Sequence, residues 1–310
     1  MTKKFFLIFN ALSKSQIFLN PYKIRFGHSL KSAPLQNIED LHMNYAIKNI
    51  AGSAAYGGMF TFDLKFIINQ SIDMKVPIVL ITGVSRGFGL ELTREYCRLG
   101  WRVFGVFRSK EDGAQLASKF GKAFVPILAD LCDDSAVRKI RLSLEEETDY
   151  LSLLINNAGI GGSGHFIGET SVNEIKELFD VHCCGAIRCL QAALPFLRKA
   201  EQPTVVNVSS RVGSIHKVSS GDFDHIPLSY GIRMAKAAQN MLSASIYREL
   251  RGTGIAVFAI HPGKIRTQMG SPDADMTAKQ AAKTFVSWLP KIRQERDFGY
   301  FQAGAEELPF

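Results

Sequence analysis

Residues 77–100 read PIVLITGVSRGFGLELTREYCRLG, and the fold turns on how this stretch is read. Pro77–Thr82 is a short, unbroken apolar run rich in Val and Ile, suited to a strand buried on both faces of a parallel sheet. Gly83, Gly87 and Gly89 follow at once, and an amphipathic segment, LELTREYCRLG, comes directly after them. Strand, glycine turn and helix in this order predict a dinucleotide-binding unit. The tight turn needs backbone dihedrals that a Cβ disfavours, and the backbone must approach a pyrophosphate closely. The helix N-terminus then faces the phosphates with its partial positive charge.

Working outward, the next apolar run, WRVFGVF, ends at Arg108-Ser109-Lys110. An NAD-binding unit would place an acid about 20 residues past the glycines to hold the ribose hydroxyls. A cation there suits the 2′-phosphate of NADP instead, because a guanidinium makes a planar, two-pronged fit to phosphate. Arg86 within the glycine turn adds to that charge, although Arg108 and Lys110 also fit solvated residues opening a loop. Beyond lie strands AFVPILA, LSLLIN, TVVNVSS and GIAVFAI, with helices expected from Asp133, from Ser171 and near Ile232. Strands alternating with helices predict an α/β, doubly wound Rossmann fold with a mostly parallel sheet. No repeat or linker interrupts residues 74–310, which are expected to form one domain.

Several motifs in this order resemble the short-chain dehydrogenase/reductase family. They are TGVSRGFG (Thr82–Gly89), NNAG (Asn156–Gly159), VNVSS (Val206–Ser210) and HPGKIRT (His261–Thr267). SSRVGSI, RMAKAAQNM and the ending AGAEELPF are most similar to its C-factor/sniffer-like group of cytosolic members. The resemblance covers about residues 76–310 and implies a seven-stranded sheet in the order 3-2-1-4-5-6-7 with a bound nicotinamide cofactor, here NADP(H). It implies that Gly83, Ser85, Arg86, Gly87, Phe88 and Gly89 lie along the pyrophosphate, with Arg108 at the 2′-phosphate. Asp130 and Leu131 would meet the adenine, and Asn157, Ala158 and Gly159 would pass along the ribose. Pro262, Gly263, Ile265 and Thr267 would close over the nicotinamide end. Asn and Gly are also ordinary turn residues, so NNAG equally suits a strand-ending turn.

Chemistry in this family needs a Ser to hold the substrate carbonyl, a Tyr to give or take its proton, and a Lys that binds the ribose and lowers the Tyr pKa. An Asn on the preceding helix supports a water relay to that Lys. Ser210, three residues before Gly213, matches the Ser, and Lys236 matches the Lys. The other two positions depart: the Tyr position falls on Ile232, and the Asn position on His182. Ile has no exchangeable proton and cannot act as an acid or base. Tyr230 stands six positions before Lys236, about 120° away around a regular helix, and reaches a shared ketone only if the first turn is irregular. Otherwise it is an aromatic wall of the substrate cleft. His182 is either a proton shuttle near the Lys or a hydrogen-bonded core histidine. His165, His216 and His225 fall in expected loops near the cleft mouth, and His261 at a strand end. The insert SIHKVSSGDFDHIPLS (residues 214–229) is expected to lie over the cleft. The expected activity is a weakened NADP-linked carbonyl/alcohol oxidoreductase acting on a small molecule; the alternative is a non-catalytic NADP-binding sensor or scaffold.

Charge and composition narrow the remaining classes. The chain has 310 residues, 46% of them hydrophobic, and a net charge of +8. Half of that excess lies in residues 1–73, and the rest is spread without a basic block, which argues for a solvated surface rather than a nucleic-acid interface. Met1–Ile38 holds no acidic residue but six Lys/Arg. Residues 1–73 therefore read as an N-terminal extension: a mitochondrial or plastid transit segment, a disordered arm, or an over-extended reading frame ahead of Met74. Without a targeting role for this extension the expected location is cytoplasmic. Cys97, Cys132, Cys183, Cys184 and Cys189 show no CxxC spacing and read as reduced intracellular thiols, and no metal site is expected. No apolar run reaches the roughly 18 residues that span a bilayer. A homodimer through helix faces is compatible with the family resemblance.

Overall fold

Alternation along the first strand assigns each residue to one of two cores. In β1 (Ile78–Thr82), Val79 and Ile81 join one buried cluster while Ile78 and Leu80 join the other. This is the period-2 signature of a strand covered by helices on both faces. The computed structural model describes residues 75–266 and 274–310, together with the short antiparallel pair Phe18–Asn20 and Lys23–Arg25. The chain divides into units Met1–Lys75 and Val76–Phe310. The targeting and reading-frame expectations for residues 1–73 lie outside the described residues, apart from that strand pair.

Six further strands complete the sheet: β2 (Arg102–Phe107), β3 (Phe124–Leu128), β4 (Leu153–Asn156), β5 (Thr204–Val208), β6 (Ala256–His261) and β7 (Phe298–Gln302). The spatial order is 3-2-1-4-5-6-7, and every adjacent pair is parallel. The sheet is thus wholly parallel, where the sequence predicted a mostly parallel one.

Helices α1 (Gly87–Arg98) and α2 (Lys110–Phe120) follow β1 and β2, and α3 (Ser135–Glu147) follows β3. Next come α4 (Val172–Phe179) and α5 (Gly185–Leu197), joined through a π-helical turn at Asp180–Cys184. The short α6 (Ile215–Ser219), the long α7 (Tyr230–Leu250) and α8 (Ala278–Glu295) complete the set. Leu92 of α1 and Phe285 and Leu289 of α8 pack on the Val79/Ile81 face, where Phe88 meets Phe285 edge-on at 5.8 Å. Ile140 of α3, Ala192 and Phe196 of α5 and Ile246 of α7 cover the opposite face.

Strand order reverses direction between β1 and β4. In such sheets the connections leave toward opposite sides at that point and open a crevice beyond the strand C-termini. The glycine turn, Arg108, Asp130 and NNAG all follow strand C-termini on this side. Among the described residues no helix is long and apolar enough to cross a membrane.

Candidate active site

The glycine turn is held from two directions. Gly83 and Val84 donate their N–H groups to the Val106 carbonyl near the end of β2, at 2.9 and 3.4 Å. From the other side the Thr82 hydroxyl accepts from the N–H groups of Asn157 and Ala158, and the Asn157 amide donates to the Thr82 and Gly83 carbonyls. Asn157 therefore works as a clamp between β1 and β4. Gly83 (φ +70°) and Gly87 (φ +58°) occupy the left-handed region that side chains rarely adopt. A Cβ on Gly83 would stand 2.9 Å from the Ala158 Cα, and one on Gly89 would run into the Gly83 carbonyl and the Asn157 amide.

α1 begins at Gly87 with no side-chain cap: the residue before it, Arg86, is extended and supplies no acceptor to the first turn. Its leading N–H groups point past glycines, an arrangement suited to a phosphate. The residues present therefore fit a dinucleotide pyrophosphate. Arg86 and Arg108 are exposed on this rim, and Ser109 caps α2 by accepting from the Asp112 N–H. Asp130 accepts from the Cys132 N–H at 3.0 Å, shaping the turn after β3, and Leu131 is buried beneath it. Pro262 and Gly263 (φ +99°) follow β6, and Ile265 lies in a two-residue strand paired with Met276–Thr277. Thr267 lies outside the described residues.

The second cluster joins β5, α7 and the π-turn. Gly213 packs against the Lys236 backbone, where a Cβ would stand 2.7 Å from the Lys236 carbonyl carbon. That close approach brings the turn carrying Ser210 onto α7. Ser210 accepts weakly from the Val212 N–H at 3.5 Å, while its carbonyl accepts from the Tyr300 hydroxyl at 2.5 Å. Lys236 donates to the Val208 carbonyl at 2.6 Å and to Gln239 Oε1 at 2.9 Å. Burial lowers its pKa to about 8, with a smaller opposing effect from Cys183.

His182 sits in the π-turn beneath NNAG, with its ring against Gly159. Its Nε2–H donates to the Ile160 carbonyl at 3.0 Å, and its buried Nδ1 has no partner. Burial first, and the Lys236 charge second, lower its pKa to about 3, so the ring is neutral near pH 7. His261, at the end of β6, is likewise held to about 3 by burial, with Arg211 and Lys236 adding to the effect.

Ile232 stands four residues before Lys236 in an uninterrupted helix, its N–H donating to the Ser229 hydroxyl that caps α7. Tyr230 is already the first residue of that helix. Regular geometry from there sets it about 120° around the axis from Lys236, and the Arg233 guanidinium lies 4.3 Å from its ring centroid.

Gln239 is the functional residue that sequence reasoning missed. It is 1% exposed, accepts from Lys236 and donates through Nε2 to the His182 carbonyl at 3.0 Å. Its amide thus links the helix bearing Lys236 to the π-turn. The available signal was a polar residue on the buried face of α7, but its partner is 57 residues away in sequence.

Comparison with known proteins places this architecture. Residues 77–278 match the short chain dehydrogenase family model. The C-signal protein of Myxococcus xanthus is 31% identical over 163 residues, covering 53% of this chain and 95% of that protein. The NADPH-bound carbonyl reductase from chicken fatty liver superposes with a TM-score of 0.69 at 26% identity, covering 76% of this chain and all of that one. Carbonyl reductase Sniffer of D. melanogaster shares the fold with a TM-score of 0.70 at 24% identity over the same shares. With the family model matching residues 77–278 and the seven-stranded parallel sheet in the order 3-2-1-4-5-6-7, this protein belongs to the short chain dehydrogenase family.

Proposed function

We propose that the chain is an NADP(H)-dependent carbonyl reductase that has lost its positioned proton donor. The glycine cradle carries the first half of this reading: Gly83 and Gly89 leave a backbone hollow that any side chain would fill. Arg86 and Arg108, exposed on its rim, give the 2′-phosphate a positive surround. The NADPH-bound reductase from chicken fatty liver adds support from a relative of the same architecture.

When bound, NADPH supplies the hydride; the chain's own groups orient the acceptor. Ser210 Oγ is the donor suited to a substrate carbonyl oxygen. Lys236, fixed from below by Val208 and Gln239, has a third N–H left for a ribose hydroxyl. The alkoxide formed on reduction then takes its proton from water, since Ile232 has none to give. A missing general acid costs about 10²–10⁴-fold in rate, so slow turnover on activated carbonyls is expected.

Ile232 also favours a second reading, a cofactor-binding sensor or scaffold without turnover. One experiment separates the two. NADPH oxidation is followed against a panel of aldehydes and ketones for the parent chain and for Ile232→Tyr. Slow parental turnover with a gain of about 10²-fold or more in the variant supports the reductase. No turnover in either, with NADPH still bound, supports the sensor. No NADPH binding ends both readings.

A further inference from the structure

One turn of α7 before Lys236, the helix borders a cleft of about 440 Å³, a size suited to a small organic ligand. Neither Ser210 nor Lys236 lines it. Its walls come from the loop after β4, from the insert between α6 and α7, and from Tyr230 and Arg233 of α7 itself. Apolar side chains form one part of the lining: Phe166 is 67% exposed, Ile226 is 39% exposed, and Phe223 and Leu228 lie deeper.

His165, Asp224, His225 and Arg233 form the polar part. The Arg233 Cζ lies 4.3 Å from the Tyr230 ring centroid, and its Nε is buried with no acceptor among the described residues. Among the described residues no carboxylate forms an ion pair with it. The acid of the lining, Asp224, turns back on its own loop: a Cβ on Gly221 would stand 2.9 Å from its Oδ2. A guanidinium with a buried donor left unmatched is an incomplete recognition element. Its planar fork matches a carboxylate, and stacking on an aromatic ring holds that fork in place. His165 and His225 stand exposed on the same lining and add ring N–H donors.

We propose that this cleft binds an organic carboxylate with an apolar body, the carboxylate on Arg233 and the body against Phe166, Phe223 and Ile226. Arg233 and Lys236 are three residues apart on one helix, about 4.5 Å along its axis. A molecule anchored at Arg233 therefore has its far end one turn from the Ser210–Lys236 cluster. Assigning that anion as the substrate rests on the carbonyl-reductase reading; its binding does not.

The test compares 3-phenylpropanoate with its uncharged isostere 3-phenylpropanamide by calorimetric titration of the full chain, with and without NADPH. The acid is expected to bind at least about tenfold more tightly than the amide, the difference between a charge-assisted and a neutral hydrogen-bonded contact. Arg233→Gln is expected to erase that preference while leaving NADPH affinity unchanged. Equal binding of acid and amide by the parent chain, or a preference that survives Arg233→Gln, overturns the proposal. The parent comparison decides it even if the variant fails to fold. An acid preference without NADPH binding would sink the reductase reading and leave this site standing. NADPH binding without acid preference would do the reverse.

Discussion

The β1–α1 cradle and the β5–α7 cluster are built on the same sheet and at the same end of it, yet they differ in how completely their parts agree. In the cradle every local feature serves one purpose: two left-handed glycines, a third that admits backbone contact, an uncapped helix and a clamp from Asn157. In the β5–α7 cluster Lys236 is held by Val208 and Gln239, but Ile232 stands four residues before it, where the proposed reduction calls for a proton donor, and His182 is sealed beneath NNAG as a neutral ring. On the proposed reading, ligand binding and proton transfer are separable on this fold, because the first depends on backbone and the second on two or three side-chain atoms. Ile232→Tyr, argued above, tests the β5–α7 side of this contrast by restoring one atom.

The largest loss is expected from breaking the cradle. Gly89→Val places branched carbon against the Gly83 carbonyl and the Asn157 amide, both of which are fixed by other bonds. Overpacking of this kind costs about 1–3 kcal/mol of stability, and the turn cannot hold its shape toward a phosphate. NADPH titration followed by fluorescence should show affinity reduced about 100-fold or more, while a Gly168→Ala control, with open space around its Cβ and no left-handed backbone, keeps cofactor affinity. Unchanged NADPH affinity in Gly89→Val would remove the cradle from the binding site.

Acid titration probes the β5–α7 side next. His182 and His261 are both held to about 3 in the folded chain, against an ordinary value near 6.5. Below 6.5 the unfolded chain takes up protons that the folded chain refuses. The stability each ring contributes is therefore complete above about pH 6.5 and is lost as pH falls toward 3. Between pH 6.5 and 5 the loss is about 2 kcal/mol per histidine as an upper figure, from 1.36 kcal/mol per unit. Denaturant unfolding at the two pH values measures it. His182→Gln should flatten the slope by roughly half; a slope identical to the parent would mean that His182 titrates normally.

How far the sequence foretold this molecule follows from where the determining contacts lie. β1 to β6 were legible because each is an apolar run with its own local signature. β7, FGYFQ, carries no such run: its strand character comes from pairing Phe298–Gln302 with Val257–His261 of β6. The same division holds within the site. The glycine turn is a local pattern and was readable as such; the roles expected for Ser210 and Lys236 came from the resemblance of the motifs around them. The π-turn at Asp180–Cys184 has no periodicity that a sequence displays, and the unmatched Nε of Arg233 depends on what the described carboxylates elsewhere do not reach.

Gln239 gives the finest test of the contrast, because it joins Lys236 to the turn that carries His182. Its Oε1 accepts from the Lys236 ammonium, a contact that favours the charged form of a lysine whose burial holds it near 8. Gln239→Glu puts a carboxylate at the same place and should raise the Lys236 pKa. Gln239→Leu removes the acceptor and should lower it further, each by roughly one unit or less if the side chain relaxes. Both changes take the donor from the His182 carbonyl, so their common loss of stability, about 1 kcal/mol for one hydrogen bond, is shared, and only the titration differs in direction. Carbon-13 NMR of the lysine ε-carbons, with Lys236→Met to assign the signal, reads that direction. Opposite shifts in the two variants would establish that Gln239 sets the charge of Lys236 through its amide oxygen. Equal shifts would reduce Gln239 to a packing residue between α7 and the π-turn, and Lys236 would then owe its position to Val208 and Gly213.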